Sequence, residues 1–243
     1  NAKGGTELLA ERLLKGTKKE LFKNINIIFN RPELYKQYIA DGINIFNFHD
    51  LPDDRMYTNF FRSEMINKFS HFVFNSDYQK EEFCNKFDFK GRNITVIKNS
   101  IIPIEIKQKK YDGKINLIYH TTPHRGLELL AHCFPKILTE NNNVYLKIFS
   151  SLKIYGWDDK DKVFEPLYRK LNDMKNVEYS SNVSNEEIRA ELINTHIFAY
   201  PNVWPESSCL AAIEAMSAKN LLVLPDLAAL KETGSKSKFL YNF

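Results

Sequence analysis

Cysteine is scarce in this chain: three in 243 residues, Cys84, Cys133 and Cys209. An odd number with no Cys-x-x-Cys spacing argues against a disulfide scaffold and a zinc site. It points instead to reduced thiols in a cytoplasmic protein. No apolar run approaches the ~18 residues of a membrane-spanning helix, and no signal peptide is visible. There is no Gly-x-Gly-x-x-Gly fingerprint, so a nicotinamide cofactor has no support. Internal repeats and low-complexity segments are also missing. Neither sign of charge dominates: 34 Lys and Arg against 30 Asp and Glu leave a formal +4. That excludes a dedicated nucleic-acid binder but allows a phosphate-bearing ligand or peripheral contact with an anionic membrane surface. The first residue is Asn, not Met, and Gly4-Gly5-Thr6 is a loop-to-helix junction with no strand before it. A doubly wound domain would want a strand ahead of Gly4, and the chain closes on Ser235 to Phe243 just after a strand–helix fragment.

What is present supports an ample core: 43% hydrophobic residues, with 18 Phe and 12 Tyr. Short apolar runs rich in β-branched and aromatic residues predict strands at 25–29, 43–48, 71–75, 94–97, 115–119, 144–149, 177–179, 197–200 and 221–224. Apolar on both faces, they suit a buried parallel sheet. Amphipathic stretches predict helices at 6–22, 32–40, 59–69, 77–87, 125–139, 162–174, 185–194 and 207–218. Strand–helix alternation implies an α/β fold with right-handed crossovers. The run from Asn99 to Gly113, with Pro103, three lysines and no helical pattern, breaks the rhythm. It predicts a linker (101–113) between two Rossmann-like, doubly wound domains, 1–100 and 114–243, facing a cleft. Ligands of such sheets bind at the strands' C-terminal ends.

Several segments are candidates for chemistry. Gly4 and Gly5 open a helix, where backbone can approach a phosphate closely. His49 follows the second strand, where it could hydrogen-bond a sugar; an Asp-capped turn is the plainer alternative. Arg125 lies near a helix N-terminus against the dipole preference, which suggests an anionic partner such as a diphosphate. The acidic run Asp158-Asp159-Lys160-Asp161 reads better as helix capping than as a metal site. Lys15, Lys18, Lys19 and Lys23 read as a solvated basic face ahead of a lipid contact. Glu206 and Glu214 stand out most. One is expected just before a helix capped by Ser207 or Ser208, the other inside it, roughly 12 Å further along the axis at 1.5 Å per residue.

The ordered set Gly4-Gly5-Thr6-Glu7-Leu8, Asn75 to Lys80, Thr121 to Leu127, Lys153-Ile154-Tyr155-Gly156 and the Glu-x7-Glu from Glu206 to Glu214 resembles the GT-B-type retaining glycosyltransferases of family 4, the glycosyl transferases group 1. The resemblance spans nearly the whole chain, with the first strand and the C-terminal helices of the family pattern expected to be missing. It implies an enzyme transferring a sugar from a nucleotide-diphosphate sugar to a carbohydrate, lipid-linked or protein hydroxyl, without a metal or other cofactor. It also implies roles: Glu214 on the donor ribose, Glu206 near the transferred sugar, and backbone N–H groups of Cys209 and Leu210, beside Ser208, on the diphosphate. Arg125 would neutralise the leaving group, Gly4 and Gly5 would approach the phosphates, and His49 would face a sugar. His120 departs from the family pattern, standing where an Arg is frequent. Where the helix after Glu214 usually ends in Gly, Lys219-Asn220 follows, and Asn220 is expected to take the left-handed cap. Two other readings remain: a sugar-nucleotide epimerase of the same fold, and a non-catalytic nucleotide-sugar-binding subunit.

Overall fold

A computed structural model describes residues 4–31, 42–62, 64–106, 108–234 and 238–241. The chain divides into two compact units. The N-terminal unit comprises Gly5–Ser100 together with Pro205–Ser208; the C-terminal unit holds Gly4, Ile101–Trp204 and the chain from Cys209 onward.

The N-terminal unit opens with α1 (Gly5–Gly16) and a 3-10 turn (Lys19–Phe22). Four parallel strands follow in sequential order: β1 (Ile25–Phe29), β2 (Ile43–Asn47), β3 (His71–Phe74) and β4 (Asn93–Val96). Helix α2 (Arg55–Arg62) and a 3-10 stretch (Glu64–Lys68) connect β2 to β3, and α3 (Asp77–Lys86) connects β3 to β4. The helix expected at 32–40 lies outside the described residues. Registers pair Ile28 with Phe46, Phe46 with Phe72, and Phe72 with Ile94. Side chains two apart share a face, so Phe46, Phe48, Phe72 and Phe74 form one aromatic floor. Met56, Tyr57 and Phe60 of α2 and Phe83 of α3 bury themselves in the same cluster. Phe48 stacks on Phe74 at 4.8 Å and 5°. Ser76 caps α3 by accepting from the Gln79 N–H.

The C-terminal unit carries six parallel strands: β5 (Ile115–Tyr119), β6 (Val144–Phe149), β7 (Val177–Ser180), β8 (Ile197–Ala199), β9 (Leu221–Pro225) and β10 (Lys238–Tyr241). Their spatial order is β10-β9-β8-β5-β6-β7. Connecting helices are α4 (Leu127–Glu140), α5 (Asp158–Asp161), α6 (Glu165–Asn172), α7 (Asn185–Asn194), α8 (Leu210–Ser217) and α9 (Leu230–Thr233). In β6, Val144, Leu146 and Ile148 are buried while the residues between them are half-buried. Leu130, Ala131 and Phe134 of α4 and Ala212 and Ala215 of α8 join the same core. The stretch expected as a linker has no helix or strand among its described residues, and it is held against this unit. The Ile104 N–H donates to Ser217 Oγ, Arg189 donates to the carbonyls of Ile102 and Pro103, and Lys109 donates to those of Leu192 and Ile193.

Three local expectations are corrected. The helix bearing Glu214 starts at Leu210, with Cys209 as its N-cap, not at Ser207. Its left-handed exit residue is Lys219 (φ 57°), not Asn220, whose side chain instead bonds the Leu192 carbonyl and Thr195 Oγ1. The acidic run forms its own short turn, α5, ahead of α6. Asp161 is buried there, accepting from Ser151 Oγ (2.9 Å), the Leu152 N–H (2.6 Å) and Tyr168 OH (2.8 Å). Three donors on one buried carboxylate fasten the loop after β6 to α6. Asp161→Ala strands all three, and at about 1–3 kcal/mol per unmatched buried group it should lower unfolding free energy by ~3 kcal/mol or more in urea melts. A loss under about 1 kcal/mol would refute this clamp.

Candidate functional site

Between β5 and β8 the strand order of the C-terminal unit reverses, β5 leading outward to β6 and β8 to β9. The strands' C-terminal ends at such a switch point are the usual ligand site of open parallel sheets. The loop after β5 is His120 to Gly126. Its backbone is fixed from two sides: Tyr119 OH donates to the Thr122 carbonyl (2.9 Å) and Ser150 Oγ to that of Thr121 (2.7 Å). Pro123–Arg125 form a 3-10 turn, and Gly126, left-handed at φ 103°, caps α4. A Cβ on Gly126 would stand 1.9 Å from the Pro201 carbonyl oxygen, in the loop after β8. The two loops therefore touch through a glycine that no other residue could replace without moving one of them. His124 makes a second contact, edge-on to Trp204 at 5.2 Å. Asn202 closes its own turn, accepting from the Trp204 N–H at 3.0 Å.

His120 is buried against Phe198, ring centroids 5.0 Å apart, and its Nε2 has no protein partner. Burial pushes its pKa down to about 4. The Oγ1 atoms of Thr121 and Thr122 are likewise buried without a partner. Consecutive residues thus present three buried polar atoms unmatched by protein, a concentration that asks for a ligand. His124 is also lowered to about 4, by burial first and by Arg125 second.

Glu214 is the fifth residue of α8 and is buried. Asn185 Nδ2 donates to its carboxylate at 3.1 and 3.4 Å, and Arg189 Nη1 pairs with Oε1 at 3.3 Å. Neither partner was expected from the sequence, although a signal was there. Ser184 and Glu187 form a capping box that fixes the start of α7, and Asn185 and Arg189, four apart, share a helix face. Cys209 N-caps α8 without a side-chain cap bond. Ser208 is half-buried just before it.

Glu206 is buried but lies three residues before that N-cap and belongs to the N-terminal unit. The expected helical offset between the two glutamates is therefore corrected: the backbone leaves helical geometry before reaching Glu206. In the same N-terminal unit, His49 follows β2 and packs its ring 5.6 Å from Phe29. Its Nε2 is without a protein partner and burial lowers its pKa to about 4. Gly5 begins α1, preceded by a buried Gly4. Lys15, Lys18 and Lys23 are exposed. Among the described residues, no helix is long and apolar enough to cross a membrane.

The model of one family, described as glycosyl transferases group 1, matches residues 103–233, more than half of the chain. The chain belongs to that family. No curated protein sequence matches it. Solved structures share the GT-B fold of two parallel-sheet α/β domains. A glycosyltransferase from Rickettsia africae ESF-5 is 15% identical, with all of this chain and 69% of that one covered, at a TM-score of 0.66. TarM is 19% identical over 99% of this chain and 49% of its own, at 0.65. Anabaena HepE, solved with UDP-glucose, is 14% identical over 89% of this chain and 65% of its own, at 0.67. This chain therefore spans about half to seven-tenths of those solved chains.

Two tests follow from the geometry. Gly126→Ala combines a left-handed φ, about 1–2 kcal/mol, with overpacking of about 1–3 kcal/mol. A drop of ~2–4 kcal/mol in unfolding free energy is expected, and an unchanged melt would refute the loop contact. His49 and His120 have folded values near 4 against the ordinary 6.5. Between those pH values the unfolded chain binds protons that the folded imidazoles refuse, so their stabilising contribution is complete above pH 6.5 and declines as pH falls toward 4. His120→Gln should flatten that decline in urea melts run at stepped pH; an identical slope would count against a buried neutral imidazole.

Proposed function

We propose that this chain is a retaining glycosyltransferase of family 4. It moves a sugar from a nucleotide-diphosphate donor to a hydroxyl of a carbohydrate, lipid-linked or protein acceptor. The observation carrying this reading is the cluster of three buried polar atoms without protein partners in the loop after β5, at the β5/β8 switch point. It lies inside the span that matches the family. A structural neighbour, HepE, was solved with UDP-glucose.

In this reading the start of α8, with N–H groups of Cys209 and Leu210 and the neighbouring Ser208, receives the diphosphate. Arg125 balances the charge that grows on it as the sugar–phosphate bond breaks. Glu214 takes the ribose hydroxyls. Asn185 and Arg189 hold that carboxylate in its orientation. Glu206 and His49 hold the transferred sugar, and backbone at Gly4 and Gly5 approaches the phosphates. Retention follows from same-face attack, with the departing phosphate accepting the acceptor's proton. No metal or other cofactor takes part. The reaction is cytoplasmic, and exposed Lys15, Lys18 and Lys23 suit contact with an anionic bilayer surface. A neutral His120 supplies hydrogen bonding but no charge. That one observation favours a second reading, a subunit that binds nucleotide sugar without turning it over.

Calorimetry with UDP, GDP, ADP and their glucose conjugates, followed by product analysis, separates these readings. Binding is expected, weakened about 10–100-fold by Glu214→Gln, as the loss of charge-assisted bonds worth ~1.5–3 kcal/mol implies. Arg125→Ala should lower kcat by roughly 100-fold or more. Folded protein that binds no nucleotide at about millimolar concentration would sink both readings. Binding without turnover would leave the subunit, and an epimerised nucleotide sugar would point to an epimerase.

A further inference from the structure

Asn75 and Ser76 join β3 to α3, with Ser76 as the helix cap. Asn75 follows β3 and is 4% exposed. Its backbone N–H donates to Gln79 Oε1 at 2.8 Å. Its side-chain orientation is set by Ser207, which belongs to the same N-terminal unit. Ser207 Oγ donates its single proton to the His49 carbonyl. It can then only accept from Asn75, so the amide nitrogen must be the atom turned toward it, at 3.3 Å. Ser76 holds Ser207 in place, donating from Oγ to the Ser207 carbonyl at 2.6 Å while accepting from the Gln79 N–H at 2.9 Å. Asn75 Oδ1 is thereby directed away from Ser207, buried, with no protein partner. His49 Nε2 is in the same condition, on the residue whose carbonyl meets the same Ser207 hydroxyl.

Two buried, unmatched polar atoms on residues joined through one hydroxyl lie just past β2 and β3, the ligand-binding end of a parallel sheet. A buried carbonyl left unmatched costs about 1–3 kcal/mol, and here its rotation is blocked. We propose that Asn75 is a binding residue of the transfer reaction, with Oδ1 accepting a hydrogen bond from a sugar hydroxyl. The proposal rests on the glycosyltransferase reading above. An amide oxygen only accepts, so its partner must donate. A sugar hydroxyl does so, and ionised phosphate oxygens do not. The hydroxyl can come from the donor's sugar or from an acceptor sugar.

The test uses the full chain with UDP, UDP-glucose and methyl glucoside as probes, comparing wild type, Asn75→Ala and Asn75→Asp by calorimetry and ligand-observed NMR. Asn75→Ala should leave UDP affinity unchanged and weaken one sugar probe about tenfold. A loss confined to UDP-glucose assigns the hydroxyl to the donor, and one confined to methyl glucoside assigns it to the acceptor. Asn75→Asp keeps an acceptor oxygen in place, the Ser207 hydroxyl turning toward it, and should retain most of the sugar affinity. It also stands in if the alanine variant does not fold. Equal affinities for both sugar probes in wild type and Asn75→Ala would overturn the proposal, leaving Oδ1 to solvent. So would an equal loss for UDP and UDP-glucose, or failure of Asn75→Asp to retain sugar binding while UDP binding is intact. Failure of the wild type to bind UDP or UDP-glucose is a different result, which removes the transfer reading itself.

Discussion

The pairing of β5 with β8 is the constraint on which the site depends. It brings together strands 78 or more positions apart in sequence, Leu117 beside Ile197 and Ile118 beside Phe198. Because β5 continues to one side of the sheet and β8 to the other, their exits are neighbours with different destinations. Those neighbouring exits bring Gly126 against Pro201 and put His120 beside Phe198. The four described strands of the N-terminal unit run in simple sequential order, with no such reversal among them.

The polar groups around the two sheets fall into two kinds. Asp161, Asn202 and Asn220 are buried and matched by nearby donors or acceptors, so they stabilise local chain geometry. His49, Asn75, His120, Thr121 and Thr122 each keep one buried atom without a protein partner, and all five come just after strand ends. Cores seldom tolerate such atoms, and their restriction to one edge of each sheet separates the sites from the scaffold more sharply than charge does. The histidines among them are neutral, since burial in an apolar setting opposes the imidazolium.

The strands were legible in the sequence because short runs dense in β-branched and aromatic residues favour buried strands: 25–29, 115–119 and 144–149 run as their composition predicts. Helix α7 was legible because Ser184 and Glu187 mark its start chemically. The start of α8 was not. Ser207 and Ser208 look like caps, but Ser207 makes its hydrogen bonds to His49, Asn75 and Ser76, and a residue so engaged is not free to cap a helix. The left-handed turn at Lys219 also escaped, because Asn is the commoner choice there and Asn220 is instead committed to the neighbouring helix end. Short elements such as β10 and α9 have too few residues to show a period. Arg189 and Asn185 went unnoticed as partners of Glu214 because they meet it only through packing of α7 on α8.

The N-terminal unit is discontinuous: its last four residues, Pro205–Ser208, arrive more than a hundred positions after Ser100. A fragment ending at Ser100 would therefore not be the unit that the whole chain builds. It would keep the sheet and its phenylalanine floor but lose the Ser207 hydroxyl and carbonyl, releasing the Asn75 amide and leaving the His49 carbonyl and Ser76 hydroxyl without these partners. Such a fragment could fold around an intact core and still have its polar edge set differently. In evolutionary terms, the two halves of this gene are not freely exchangeable parts, because part of one half's wiring is encoded in the other.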